Sequence, residues 1–155
     1  MFRELRRKDK KLDDSAVLDI LNNSDYGVLG TISENDYPYT VPMNYVFLNG
    51  NIYLHSAKSG HKIDNLKNNK KISFTIVSES KIIPKKFSAT YKSVSIMGKA
   101  YFIDNDEKKK ALIAFIDKYS PAYKKSGIKY IDRTLDKVEI IKIEIEYLKG
   151  KNSDG

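Results

Sequence analysis

The amino-acid sequence predicts a mainly β domain of the α+β kind, with six antiparallel strands in a small barrel and a few short helices. Three observations carry this expectation. Several segments rich in β-branched residues alternate in hydropathy with period two, as half-buried strands do. Asn49-Gly50, a strong short hairpin signal because both residues tolerate positive φ, joins two of them. Helical spacing is confined to short stretches, with no βαβ repeat and no interdomain linker. At 155 residues the chain suits one domain, taken here as residues 1–150, with 151–155 a fraying tail.

The elements follow in order. Residues 1–11 (MFRELRRKDKK) form a basic leader. Leu12-Asp13-Asp14-Ser15 supplies N-cap chemistry, and Val17, Leu18 and Leu21 then fall at helical spacing until Asn22-Asn23. Gly27 to Ile32 reads as a strand, Ser33 to Asp36 as a turn, and Pro38 to Leu48 as one continuous second strand. Asn51 to Ser56 returns from the Asn-Gly turn, and Ala57 to Gly60 leads into a helix over His61 to Asn68. Lys71 to Ser78 is a strand and residues 79–88 a loop interrupted by Pro84. Tyr91 to Ile103 is a long strand whose Gly98 predicts a bulge or barrel corner. Asp104 or Asn105 caps a helix to Tyr119, Asp132 to Thr134 reads as loop, and Val138 to Leu148 closes the domain as a last strand.

Composition narrows the chemistry. There is no cysteine, which removes disulfides, thiol nucleophiles, thiolate zinc and iron–sulfur clusters. The two histidines, His55 and His61, are too few for a multi-histidine metal centre, so no metal is expected. The apolar runs fall far short of the roughly 18–20 residues that cross a bilayer, and no secretory signal pattern opens the chain. A cytoplasmic protein without membrane partners is the expectation. The net charge of +8 is half accounted for by the leader, where six basic residues stand against two acidic ones. Such a run is usually a solvated face, and no aromatic pattern of a nucleic-acid binder accompanies it, so nucleic acid is not an expected partner.

No GxSxG, GxGxxG or GxxxxGK[ST] motif occurs, which removes the common serine-hydrolase, dinucleotide and P-loop sites. The most unusual stretch is His55-Ser56-Ala57-Lys58-Ser59-Gly60-His61-Lys62, a strand end, a small-residue loop and a helix start. Free backbone N–H groups, the positive end of a helix dipole, serine hydroxyls and lysines meet there, which suits a phosphate. The same residues also fit a plain edge histidine followed by solvated helix-start charges, and spacing leaves both readings open. The second stretch is Thr40-Val41-Pro42-Met43-Asn44-Tyr45. Its proline argues for an edge or bulge, Asn44 can offer a donor and an acceptor to a planar heterocycle, and Met43 and Tyr45 can pack on one. Alone, it reads first as an ordinary edge strand. The third, Tyr91-Lys92-Ser93-Val94, says only strand.

In this order and spacing, with the basic leader, Val28-Leu29-Gly30-Thr31, Ser93 to Ala100 and the closing Tyr147-Leu148-Lys149-Gly150-Lys151, these stretches resemble the FMN-binding split-barrel family. This is the pyridoxamine 5'-phosphate oxidase-like group, and the likeness is greatest to the Nim-type nitroimidazole-resistance flavoproteins. It spans roughly residues 3–150. The resemblance implies a split barrel and a homodimer with FMN at the subunit interface. It implies phosphate contacts from His55, Ser56, His61 and Lys62, with His61 standing where arginine is usual. It places the isoalloxazine along Thr40, Val41, Pro42, Met43 and Asn44, with Ser93 reaching the flavin from a neighbouring strand. His55 is then the candidate catalytic group, its ordinary pKa suited to proton delivery. The activity implied is electron transfer from a reduced nicotinamide to a small acceptor. A non-catalytic flavin or haem carrier or sensor is the alternative. No histidine follows His61, so the Arg-x-His substrate pair of true pyridoxamine phosphate oxidases is missing.

Overall fold

The computed structural model describes residues 1–154. Its elements are α1 (Asp14–Asn23), β1 (Gly27–Ile32), β2 (Pro38–Met43), β3 (Val46–Leu48), β4 (Asn51–Ala57), α2 (His61–Asn68), β5 (Lys71–Ile83), β6 (Ser88–Ile103), α3 (Asp106–Tyr119), α4 (Lys124–Thr134) and β7 (Val138–Asp154). One antiparallel sheet runs in the order β2-β1-β5-β6-β7-β4-β3. Its two edge strands, β2 and β3, are consecutive in the chain and joined only by Asn44 and Tyr45. Three Cα–Cα steps of 3.8 Å cannot hold them more than about 11 Å apart at that point. The sheet must therefore curl until its edges meet without pairing, which is a split barrel.

That split corrects the count of six strands to seven. The expected single strand from Pro38 to Leu48 is broken because Tyr45 turns fully inward. Its hydroxyl donates to the Ile20 carbonyl at 3.1 Å, and its amide donates to the Tyr119 hydroxyl at 3.1 Å. The Tyr119 hydroxyl in turn lies 2.8 Å from the Tyr45 carbonyl and 2.7 Å from the Asp25 carbonyl. Lys118 Nζ sits 3.9 Å from the centre of the Tyr45 ring, and burial pushes its pKa down to about 8. Backbone groups that a ladder would have used are satisfied by this clamp from α3.

The barrel interior follows from the period-two alternation. Leu29, Ile52, Leu54, Phe74, Ile76, Val94, Ile96, Ile141 and Ile143 have no exposed surface, and Val17, Ile20 and Leu21 of α1 with Ile63 and Leu66 of α2 close it. A second core lies outside the barrel wall. There Ala111 and Phe115 of α3 cover Val46, Tyr53, Ile103 and Ile140. Asp13 caps α1, its side chain accepting from the Ala16 amide at 2.8 Å, and Asn105 caps α3 through Glu107 at 2.9 Å. The β3–β4 turn has Asn49 at φ 51 and Gly50 at φ 76, the positive pair a two-residue hairpin requires. The bulge expected at Gly98 is present, and a side chain there would strike the Glu144 carbonyl oxygen of β7.

Three expectations need correction. The segment 79–88 is not simply a loop, because β5 continues past a bulge between Ser78 and Lys81 to Ile83, and only Pro84–Lys86 forms a turn. Residues 124–134 are helical: Gly127 lets α4 approach Ile116 of α3, a packing reason that outweighs the glycine's poor helix propensity. The tail up to Asp154 is strand rather than frayed. β7 pairs with β6 as far as Thr90, the Leu12 amide bonds the Gly150 carbonyl at 3.1 Å, and Gly150 lies under Leu12 and Val17. Gly155 lies outside the described residues. Among the described residues no helix is long and apolar enough to cross a membrane.

Candidate functional site

The candidate site is built at the junction of β4 and α2. β4 alternates across the barrel wall, so Leu54 and Ser56 face in while Tyr53 and His55 face out. Ser56 is 7% exposed and its Oγ has no hydrogen-bond partner, alone among the buried side-chain polar atoms of the described residues. An unpaired buried hydroxyl costs free energy and marks a place where a partner is due.

The loop from β4 ends at Gly60, whose φ of 125 only glycine tolerates comfortably, and α2 begins with no side-chain cap. The Ile63 and Asp64 amides both reach back to the Gly60 carbonyl, at 2.9 and 3.1 Å. The His61 and Lys62 amides precede the first intrahelical donor and remain free for an anion, aided by the helix dipole. Lys62 is half-buried and is in none of the ion pairs among the described residues, while Asp64 is the acidic residue of the first turn. This donor set, two amides, an ammonium and an orphaned hydroxyl one loop away, fits a phosphate group.

His61 is held from below. Its Nε2 lies 3.0 Å from Ser33 Oγ, and its ring packs on Tyr39 with centroids 4.3 Å apart. Asn65, one turn along α2, donates to Thr31 Oγ1 at 2.9 Å and to Ser33 Oγ at 3.3 Å. The sequence reading did not single out Thr31, Ser33, Tyr39 or Asn65. A signal was present: Leu29, Thr31 and Ser33 share the inward parity of β1 and its continuation, so two polar residues occupy core positions and require partners.

The other predicted residues divide. On β2, Thr40 and Pro42 point outward, whereas Val41 and Met43 are half-buried and pack against the barrel core. Asn44 donates from Nδ2 to the Asp25 carbonyl at 2.9 Å, which fixes the β2–β3 break. An open cleft of about 280 Å³ runs beside Thr40, over Gly30, Ile32, Pro38, Ser73 and Met97. Ser93 lies on the same outer face, but β6 is three strands from β2, about 14 Å at the usual 4.8 Å strand spacing. One chain does not bring Ser93 to Thr40. His55 stands apart on the outer face of β4, its ring edge-on to Phe115 with centroids 4.7 Å apart. Partial desolvation there holds its pKa below the ordinary histidine value, which keeps it neutral near pH 7.

A family model described as pyridoxamine 5'-phosphate oxidase matches residues 13–152, nearly the whole described barrel. The chain belongs to that family. A candidate 5-nitroimidazole antibiotic resistance protein from Bacteroides thetaiotaomicron is 28% identical, with 90% of this chain and 84% of that one covered and a TM-score of 0.77. A conserved hypothetical protein from Mycobacterium tuberculosis shares the fold at 20% identity, over 96% of this chain and 90% of that one, with a TM-score of 0.83. An FAD-binding protein from Mesorhizobium loti does so at 18% identity, over 94% and 97%, with a TM-score of 0.68. No curated protein matches the chain.

Proposed function

We propose that this pyridoxamine 5'-phosphate oxidase family member is an FMN-binding oxidoreductase of the Nim type, working as a homodimer in the cytoplasm. The observation that carries the reading is the uncapped start of α2, with Lys62 in its first turn and the orphaned Ser56 hydroxyl one loop before it in the chain. When bound, the flavin would supply hydride acceptance from a reduced nicotinamide and electron transfer to a small acceptor such as a nitroaromatic. The chain's own residues bind and orient. Lys62, the free amides and Ser56 hold the phosphate, and Thr40 borders the cleft that takes the ring, with Pro42 on the same outer face of β2. His55, held neutral, is suited to accept a proton at neutral pH rather than to donate one.

The outer face of β2, β1 and β5 supports the dimer. It exposes Val28, Ile32, Val77 and the two β2 prolines, and no helix of the chain covers it. A second copy on this face would also bring a second Ser93 near the cleft. The Mycobacterium smegmatis FAD and heme binding protein, of the same fold at 14% identity and a TM-score of 0.77, keeps a cofactor carrier as the rival reading.

Anaerobic spectrophotometry separates the two. Bound flavin should bleach on adding NADH or NADPH and regain its absorbance when a nitroaromatic is admitted. Flavin that stays oxidised with both nicotinamides would favour the carrier.

A further inference from the structure

We propose that Thr31, Ser33 and Asn65 are positioning residues that hold His61 in its Nδ1–H tautomer, so that a neutral imidazole meets the bound anion as a hydrogen-bond donor. The proposal rests on the reading that the α2 start binds phosphate.

The direction of the relay is set at its far end. The Tyr39 carbonyl can only accept, and Thr31 Oγ1 donates to it at 3.4 Å. Thr31 has then spent its proton and must accept from Asn65, which places the amide nitrogen, not the amide oxygen, toward β1 at 2.9 Å. The second Nδ2 proton goes to Ser33 Oγ at 3.3 Å. Ser33 therefore receives a donor and has one proton of its own, for which His61 Nε2 at 3.0 Å is the available acceptor. Nε2 must carry its lone pair there, and a neutral ring has its proton on Nδ1. Thr31 and Asn65 are each 2% exposed and Ser33 7%, so these bonds are largely shielded from water.

His61 itself is exposed and its Nδ1 makes no hydrogen bond within the chain. Asp64 on α2 and Glu34 after β1 border, with Ser33, His61 and Asn65, an open cavity of about 320 Å³, and Lys62 follows His61 in the first turn of α2. Tyr39 packs against the ring at a 41° tilt, so one residue both orients the imidazole and starts the relay. The arrangement supplies a directed N–H without adding to the fixed charge of Lys62.

The test has one arm that needs no flavin. A two-bond proton–nitrogen correlation spectrum of the full ¹⁵N-labelled chain, at about pH 8.5 and so above the ordinary histidine range, reads both tautomers, with His55→Gln assigning the signals. His61 should show a protonated Nδ1 and a lone-pair Nε2. Asn65→Asp replaces the donor by an acceptor, so Ser33 should turn round and His61 should move to Nε2–H. Ser33→Ala, the milder change, should remove the bias. An Nε2–H ring in the unmodified chain would overturn the proposal. In the second arm FMN is titrated: Asn65→Asp should weaken binding about three- to tenfold, and not at all in a His61→Ala background. Equal losses in both backgrounds would mean Asn65 acts through the fold, again overturning it. If the Nδ1–H form is seen but FMN does not bind, the phosphate reading is what fails; if FMN binds an Nε2–H ring, the relay fails.

Discussion

Phe74→Ala should lower the stability of the folded chain by about 3–5 kcal/mol. Phe74 is fully buried on β5 in the middle of the sheet, between Leu29 on β1 and Ile96 on β6. Its ring meets Tyr45 edge-on, with centroids 5.3 Å apart, and occupies the space that a side chain at Gly27 would need. Truncation thus removes a ring that three strands and the β2–β3 break enclose, and the surrounding sheet can collapse only partly. Against the roughly 5–15 kcal/mol that separates a typical domain from its unfolded state, this is about a fifth or more. Urea unfolding at one protein concentration checks it: the midpoint should fall with an unchanged slope. A loss below about 1 kcal/mol would mean that the ring is not a core anchor.

Lys62→Ala should weaken FMN binding by about 1.5–3 kcal/mol, a factor of roughly ten to a hundred in Kd. Lys62 sits in the first turn of α2, where the dipole already favours an anion, and no carboxylate among the described residues pairs with it. Lys67, in the last turn of the same helix, carries the same charge at the opposite end and is the control. Lys67→Ala should leave the affinity within a factor of two or so, as an exposed charge far from the site contributes little. Equal losses from both substitutions would point to a diffuse effect of net charge instead of a phosphate contact.

How much of this was legible depended on whether the determinant was local. The Asn49-Gly50 turn, the bulge at Gly98 and the bounds of α2 from His61 to Asn68 depend on residues adjacent in the chain, and they read directly from it. The break at Asn44-Tyr45 did not, because Tyr119 and Lys118, more than seventy residues away, remove Tyr45 from the ladder. α4 was hidden for a related reason: its glycine looks like a helix breaker until Ile116 of α3 is seen against it. The extension of β7 to Asp154 depends on Leu12 and Val17 closing over Gly150, a contact between the two ends of the chain.

At the site the same rule holds. His55, Ser56, His61 and Lys62 lie in one short segment and were visible as a group, but strand alternation sends His55 and Ser56 to opposite sides of the wall. Thr31, Ser33 and Asn65 escaped notice because each is ordinary in its own segment, and only the packing of α2 on β1 unites them. The net charge of +8 is half accounted for by the basic leader, away from the site, and Lys62 is the part of it to which the proposed reading gives a ligand.

In the proposed reading the β4–α2 junction and the β2 cleft hold FMN. Equilibrium titration of the purified full-length chain with FMN, followed by quenching of the flavin's fluorescence, tests it most directly. Saturable binding at one FMN per chain, abolished or strongly weakened by Lys62→Ala while Phe74 and the fold are left intact, is the predicted result. A correctly folded chain that leaves FMN fluorescence unchanged would contradict the account.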